Sequence, residues 1–314
     1  MNKMRKKISH LVQKFDFGYF LPIIARLPLG LGKRLAVFRG FVCFLFDYGW
    51  KSEALGYKYI RKNVLKMMKH LYPHRSNLYH RYLTLRRFCY ESREEWQALL
   101  LQKPVMEKIF ATSTFQDKTE IENLYTDKRG LVLVTAHIDS YTMGMVLLGM
   151  KGMKVNVLIA DLFGEEIIHE AVRKHYISKY ASMDDLMNGK SLDPTLHMEY
   201  FYSALTKGET VCLVSDIPGT KSTVQIPFAG KKFQIPLGAF HLAKKTGSKL
   251  AAFVCLYIGP GKYKTVLLPP VEIFPDNPEK TLRPVYKFLE SWISKYPDRW
   301  MAAELFANFP DNNE

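Results

Sequence analysis

Beyond residue 130 the apolar side chains gather into short β-branched runs separated by segments of helical spacing. The runs 131–136, 155–159, 210–215, 250–257 and 263–268 predict strands. Segments 141–150, 164–180, 194–206, 236–246 and 279–295 predict helices, the fourth stopped by Gly247. Alternation of this kind predicts an α/β fold with a mixed, largely parallel central sheet flanked by helices. Before residue 130 the pattern is helical. Leu55, Tyr59, Ile60, Val64, Met67 and Met68 predict a helix over 51–72, ended by Pro73, and a second follows over 79–101.

Charge sharpens the picture of that first part. The 314-residue chain has a formal net charge of +15, and residues 1–100 hold 20 Lys and Arg against 6 Asp and Glu. Such a surface suits nucleic acid or an anionic membrane, where each basic residue adds about 1 kcal/mol of attraction. The side chains between the charges favour the membrane: residues 15–32 are largely apolar, and Phe41, Val42, Phe44, Leu45, Phe46 and Trp50 follow. Pro22, Arg26, Pro28, Lys33, Arg34 and Arg39 interrupt these blocks. No uncharged stretch therefore reaches the roughly 18 to 20 residues that span a bilayer, and the pattern reads as an interfacial anchor rather than a nucleic-acid surface. Residues 1–125 are expected to form a basic, amphipathic helical membrane-associating region and 126–314 the α/β core, as one folding unit.

The opening Met1-Asn-Lys-Met-Arg-Lys-Lys7 is followed by neither the apolar core nor the cleavage site of a signal peptide, so a cytosolic-side location is expected. Cys43, Cys89, Cys212 and Cys255 form no C-x-x-C pair, which predicts free thiols and no structural zinc. A content of 47% hydrophobic and 13% aromatic residues excludes a disordered chain.

Candidate chemistry lies at the ends of the predicted strands, where α/β sheets place their sites. His137 directly follows the run 131–136 and precedes a helix, so it is the candidate general base. Asp139, two residues on, either orients the imidazole or, with Ser140, caps the helix over 141–150. Asp216 ends another buried run before Pro218-Gly219, either as a second catalytic carboxylate or as the residue that closes the turn. Lys221, Lys231 and Lys232 can meet a phosphate or an acidic carrier surface, or simply face solvent. Neither a Gly-x-Ser-x-Gly elbow nor a His-Glu-x-x-His pair occurs, and no metal or other cofactor is expected.

The segment Gly130 to Gly144 resembles the first block of the bacterial lipid A late acyltransferases, in which a strand delivers His, then four residues, then Asp or Glu. Val211 to Asp216, Val224 to Gly230, Ile235 to Ala239, Leu242 to Ser248 and Tyr296 to Met301 resemble later blocks in the family's order. The resemblance covers roughly residues 20–305 and places the chain within the lysophospholipid acyltransferase-like superfamily. It implies an acyl donor on a carrier-protein thioester, an acceptor hydroxyl on a lipid A precursor or similar glycolipid, and residence on the cytoplasmic face of the bacterial inner membrane. Ser140, Tyr141, Thr142, Lys221, Phe228, Gly230 and Lys232 are then the candidate substrate contacts, beside catalytic His137, Asp139 and Asp216. One departure stands out: the family's carboxylate, five positions after the His, falls on Thr142. Divergent relatives transfer glycine to lipid A in antimicrobial-peptide resistance, so an aminoacyl donor is one alternative. A non-catalytic membrane-bound relative is another.

Overall fold

A computed structural model describes residues 3–51, 60–102, 104–116, 121–124, 128–159, 168–219 and 221–307. The first part is helical: α1 (Lys3–Phe15), a π-helical turn (Asp16–Phe20), α2 (Leu21–Ala25), α3 (Leu29–Phe46), α4 (Ile60–Leu71), α5 (Asn77–Leu100) and α6 (Val105–Thr112). Strands and helices then alternate: β1 (Thr114–Phe115), β2 (Leu131–Thr135), α7 (Tyr141–Met150), β3 (Val155–Leu158), α8 (Glu170–Met187), β4 (Ser191–Leu192), α9 (Pro194–Thr206) and β5 (Thr210–Val214). The chain continues through β6 (Thr223–Phe228), β7 (Lys231–Pro236), α10 (Gly238–Thr246), β8 (Lys249–Gly259), β9 (Lys262–Val271), α11 (Pro278–Lys295), a 3₁₀ turn (Pro297–Arg299) and α12 (Ala303–Phe306).

Local chemistry sets several boundaries. Ser76, Asp193 and Asn277 cap α5, α9 and α11 by accepting backbone N–H groups of Tyr79, Thr195 and Lys280, and Gly247, at φ 64°, ends α10. The helix expected over 164–180 is seen from Glu170 and runs on to Met187, while 164–167 lie outside the described residues. The same is true of residues 52–59 in the helix expected over 51–72.

Seven strands form one sheet in the order β1-β9-β8-β2-β5-β3-β4. Strands β8, β2, β5, β3 and β4 run parallel, and β9 and β1 run the opposite way. The fold is thus α/β, with the mixed, largely parallel sheet that the alternation predicts. Strand β2 is buried along its whole length, as a central parallel strand must be. Its side chains alternate between two cores: Val132 and Val134 face α4 and α9 to α12, whereas Leu131 and Leu133 face α7, α8 and the N-terminal helices.

Strands β6 and β7 form a separate antiparallel hairpin that the sequence reading leaves out. Ala229 and Gly230 both have positive φ, 52° and 73°, as a two-residue hairpin turn requires. The period-two pattern of Val224, Ile226 and Phe228 was visible, but Pro227 and Pro236 argue against strands when read alone.

The helical part rests on α5, which packs along α3. At Gly40 of α3 an added Cβ would lie 2.5 Å from the Cα of Cys89, so the two backbones cross where only glycine fits. Along α1, the π-helical turn, α2 and α3, Ile8, Leu11, Phe15, Tyr19, Ile23, Phe38, Leu45 and Phe46 are exposed. Among the described residues no helix is long and apolar enough to cross a membrane.

Gly40→Ala is expected to destabilise the fold by about 1–3 kcal/mol, the usual cost of overpacking a tight contact. Gly30→Ala lies on the same helix with nothing within 4 Å of its new methyl, and should leave stability unchanged or slightly raised. Urea unfolding of both variants tests the crossing, and equal midpoints would contradict it.

Candidate active site

Parallel pairing of β2 with β5 sets Thr135 opposite Val214, and two residues further along each strand stand His137 and Asp216. The register alone therefore brings these side chains to the same carboxyl edge of the sheet. The His137 Nδ1 lies 2.6 Å from Asp216 Oδ1, and the His137 backbone N–H donates to Oδ2 at 2.9 Å. The indole of Trp300 donates to the same Oδ2 at 2.8 Å. Asp216 has no exposed surface, whereas the His137 side chain is 21% exposed. Burial by itself would raise the pKa of Asp216. The adjacent His137 ring and the hydrogen bonds donated by its Nδ1, its backbone N–H and the Trp300 indole outweigh burial and hold it below the usual carboxylate range. An ionised Asp216 must accept the Nδ1 proton, which leaves the lone pair of the ring on Nε2.

The loop that follows is clamped on both sides. Asp139 N–H donates to the Arg299 carbonyl at 2.8 Å, Ser140 N–H to the Cys255 carbonyl at 3.1 Å, and Met301 N–H to the His137 carbonyl at 2.7 Å. Asp139 adopts φ 51°, a left-handed conformation that Asp tolerates better than most residues. Its fully buried carboxylate pairs with Arg93 from α5 and, at 2.5 Å, with Arg299. It also accepts the Tyr257 N–H at 3.1 Å and the Ser140 hydroxyl at 3.1 Å. The guanidinium of Arg93 is sandwiched between the rings of Tyr90 and Tyr257, 4.5 and 4.4 Å from their centroids.

Asp139 thus differs from the sequence expectation that it orients or balances the imidazole. The carboxylate on the ring is that of Asp216, because the left-handed turn at 139 aims the Asp139 side chain at the two arginines. Tyr141 begins α7 with its ring edge-on to His137, the centroids 5.1 Å apart. Thr142 points into the protein, where its hydroxyl donates to Glu94 at 2.8 Å, and Lys179 donates to the same oxygen at 2.7 Å. Burial would raise the pKa of Glu94, but the adjacent Lys179 ammonium and these hydrogen bonds lower it.

The remaining candidates are spread more widely. Lys221 is exposed in the loop after Asp216, and Lys232 is half-buried on β7. Phe228 is fully buried among Phe233, Tyr286, Trp300 and Phe306, so it supports Trp300 from behind and has no surface free to touch a substrate. Gly230 makes the hairpin turn against His70 of α4, whose Nε2 would lie 2.5 Å from an added Cβ. Sequence reasoning misses Arg93, Glu94, Lys179 and Arg299, since no local spacing links them to His137. Trp300 and Arg299 lie in the closing block Tyr296 to Met301, the one signal that marks them.

No curated protein sequence matches the chain at a significant level. A solved structure similar to it is the 1-acyl-sn-glycerophosphate acyltransferase from Thermotoga maritima, at 16% identity and a TM-score of 0.34, over 74% of this chain and 96% of that one. The family model described as bacterial lipid A biosynthesis acyltransferase matches residues 96–303. That span runs from the end of α5 to the start of α12 and takes in His137, Asp216 and Trp300. This chain belongs to the bacterial lipid A biosynthesis acyltransferase family.

Proposed function

We propose that this protein transfers an acyl group from a carrier-protein thioester to a hydroxyl of lipid A or a related glycolipid, with His137 as general base. Membership of the family gives the coarser statement, acyl transfer to a lipid-like acceptor. The observation that supports the finer one is the His137–Asp216 pair at the carboxyl edge of the sheet, with Nε2 turned away from the carboxylate. Nε2 takes the proton of the acceptor hydroxyl as its oxygen attacks the thioester carbonyl. The tetrahedral intermediate then collapses, its carbon–sulfur bond breaks, and the imidazolium returns the proton to the leaving thiolate. Buried Asp216 stabilises the imidazolium while it exists.

An oxyanion at the site would lie near the backbone N–H groups over 138–141, but those of Ile138, Asp139 and Ser140 already donate to carbonyls within the fold. The first N–H groups of α7 remain, because Ser140 offers them no side-chain cap. We assign stabilisation of the oxyanion to these. Asp139 is a positioning residue that holds the loop through Arg93 and Arg299. The exposed apolar side chains of α1 to α3, with the basic excess of residues 1–100, support peripheral residence of that region on the cytoplasmic face of the inner membrane.

His137→Ala and Asp216→Asn are each expected to lower turnover by about 10²–10⁴-fold while circular dichroism stays native. Full turnover by the first variant would remove the mechanism. Asp139→Asn should behave differently: it leaves two arginines facing a neutral side chain and is expected to destabilise the fold by about 3–5 kcal/mol. Thermal melts of the three variants separate the two kinds of loss. Mass spectrometry of lipid A from cells with and without the gene identifies the donor, a fatty-acyl increment supporting this reading and an aminoacyl one replacing the donor in it.

A further inference from the structure

A concave surface whose lining does not include His137 lies between the end of α3 and the starts of α4 and α5. It is a groove of about 600 Å³ lined by Phe44, Asp47, Arg61, Lys62, Leu65, Arg81 and Thr84. Three of these side chains are cationic and one is a carboxylate. Asp47 is occupied, since its Oδ1 accepts the Arg61 backbone N–H at 2.7 Å. Arg61 is fixed in place: it donates to the carbonyls of Phe44 and Leu45 at 2.9 and 3.1 Å and lies 5.4 Å from the centroid of the Phe44 ring. Lys62 and Arg81 are exposed, and neither has a carboxylate partner among the described residues. The groove therefore carries a net positive charge that the described residues do not balance.

The surroundings decide what kind of anion fits. The last turns of α3 expose Phe41, Leu45 and Phe46, the last 78% exposed. A cationic groove beside a helix end with exposed apolar side chains suits an amphiphile with an anionic head and hydrocarbon tails, and suits a fully hydrated acidic protein surface poorly. Thr84 in the groove and Glu94, which touches Thr142 beside the active site, are separated by ten residues of α5, about 15 Å along its axis. We propose that this groove binds the phosphate of a membrane lipid, through Arg61, Lys62 and Arg81, with the lipid tails lying over the end of α3. The site rests on the membrane-surface placement proposed above, but not on the chemistry at His137.

The test is binding of the full-length protein to vesicles of phosphatidylcholine alone and of phosphatidylcholine mixed with phosphatidylglycerol. The double variant Lys62→Gln/Arg81→Gln should lose about 30-fold in affinity for the anionic vesicles, as expected for two basic residues at a membrane surface. Lys207→Gln/Lys287→Gln removes the same charge from exposed positions on α11 and the end of α9, and should lose little. Soluble short-chain phosphatidylglycerol should raise the melting temperature of the wild type but not of the groove variant. Equal losses in the two double variants, or no loss in either, would overturn the site in favour of diffuse attraction. Stabilisation by inorganic phosphate equal to that by the lipid would make it a free-anion site, and displacement of the lipid by an acidic carrier protein would make it a protein-docking surface. Absence of binding to any vesicle would overturn both the groove and the membrane placement. Binding to neutral vesicles without a gain on anionic ones would overturn the groove alone.

Discussion

A charge taken out of water must meet its opposite, and here that requirement falls largely on one helix. Helix α5 carries Arg87, Arg93, Glu94 and Glu95 into the interior. Each is answered by a different element: Arg87 by Glu304 of α12, Arg93 by Asp139 of the loop after β2, Glu94 by Lys179 of α8, and Glu95 by Arg39 of α3. Buried pairs of this kind add little net stability over apolar packing, yet stranding one partner costs about 3–5 kcal/mol. Their effect is therefore to specify. Shifting α5 by one turn would leave several charges unpaired at once, so the helical region, the sheet and the site loop are held in a single relative arrangement.

The site depends on that arrangement where α5 meets the segment 139–142, and is otherwise a product of the sheet. Parallel register between β2 and β5 delivers His137 and Asp216 to one edge, and the Trp300 indole closes the carboxylate from the far side. Nothing in this requires the N-terminal helices. They enter through Arg93, which meets Asp139 in the left-handed turn two residues past His137 and joins it to Arg299. The imidazole is held on one side by strand pairing and on the other by an ion pair reaching in from α5. The geometry around His137 and the docking of the first hundred residues are in this way one problem.

Much of this was legible in the chain. An apolar run over 131–136 that leads directly into His137, and another over 210–215 that ends just before Asp216, are local signals, and parallel α/β sheets place such ends together. The hairpin of β6 and β7 was hidden by Pro227 and Pro236, which spoil the strand pattern although the hairpin, a sheet of its own, accommodates both. What spacing cannot reveal is which of two nearby carboxylates faces the ring. Asp139 is two residues from His137 in sequence and Asp216 is 79 away, but the positive φ at 139 reverses the choice. Aspartate only tolerates the left-handed conformation better than most residues and more often adopts others, so the sequence does not show which one it takes here. Arg93, Glu94 and Lys179 were out of reach for the same reason, since their relation to the site exists only after long-range packing.

The replacement at Thr142 also takes on a different meaning once Glu94 is placed. Read along the sequence, threonine five positions after the histidine marks a missing acid. In the folded protein its hydroxyl donates to a carboxylate already buried there and already neutralised by Lys179. A second carboxylate at 142 would confront Glu94 across hydrogen-bonding distance with one ammonium between them, and two buried acids so placed cannot both ionise. A hydroxyl donor is the side chain that completes the Glu94–Lys179 pair. The carboxylate that meets the His137 ring is instead on the neighbouring strand, where Asp216 accepts three hydrogen bonds that hold it ionised.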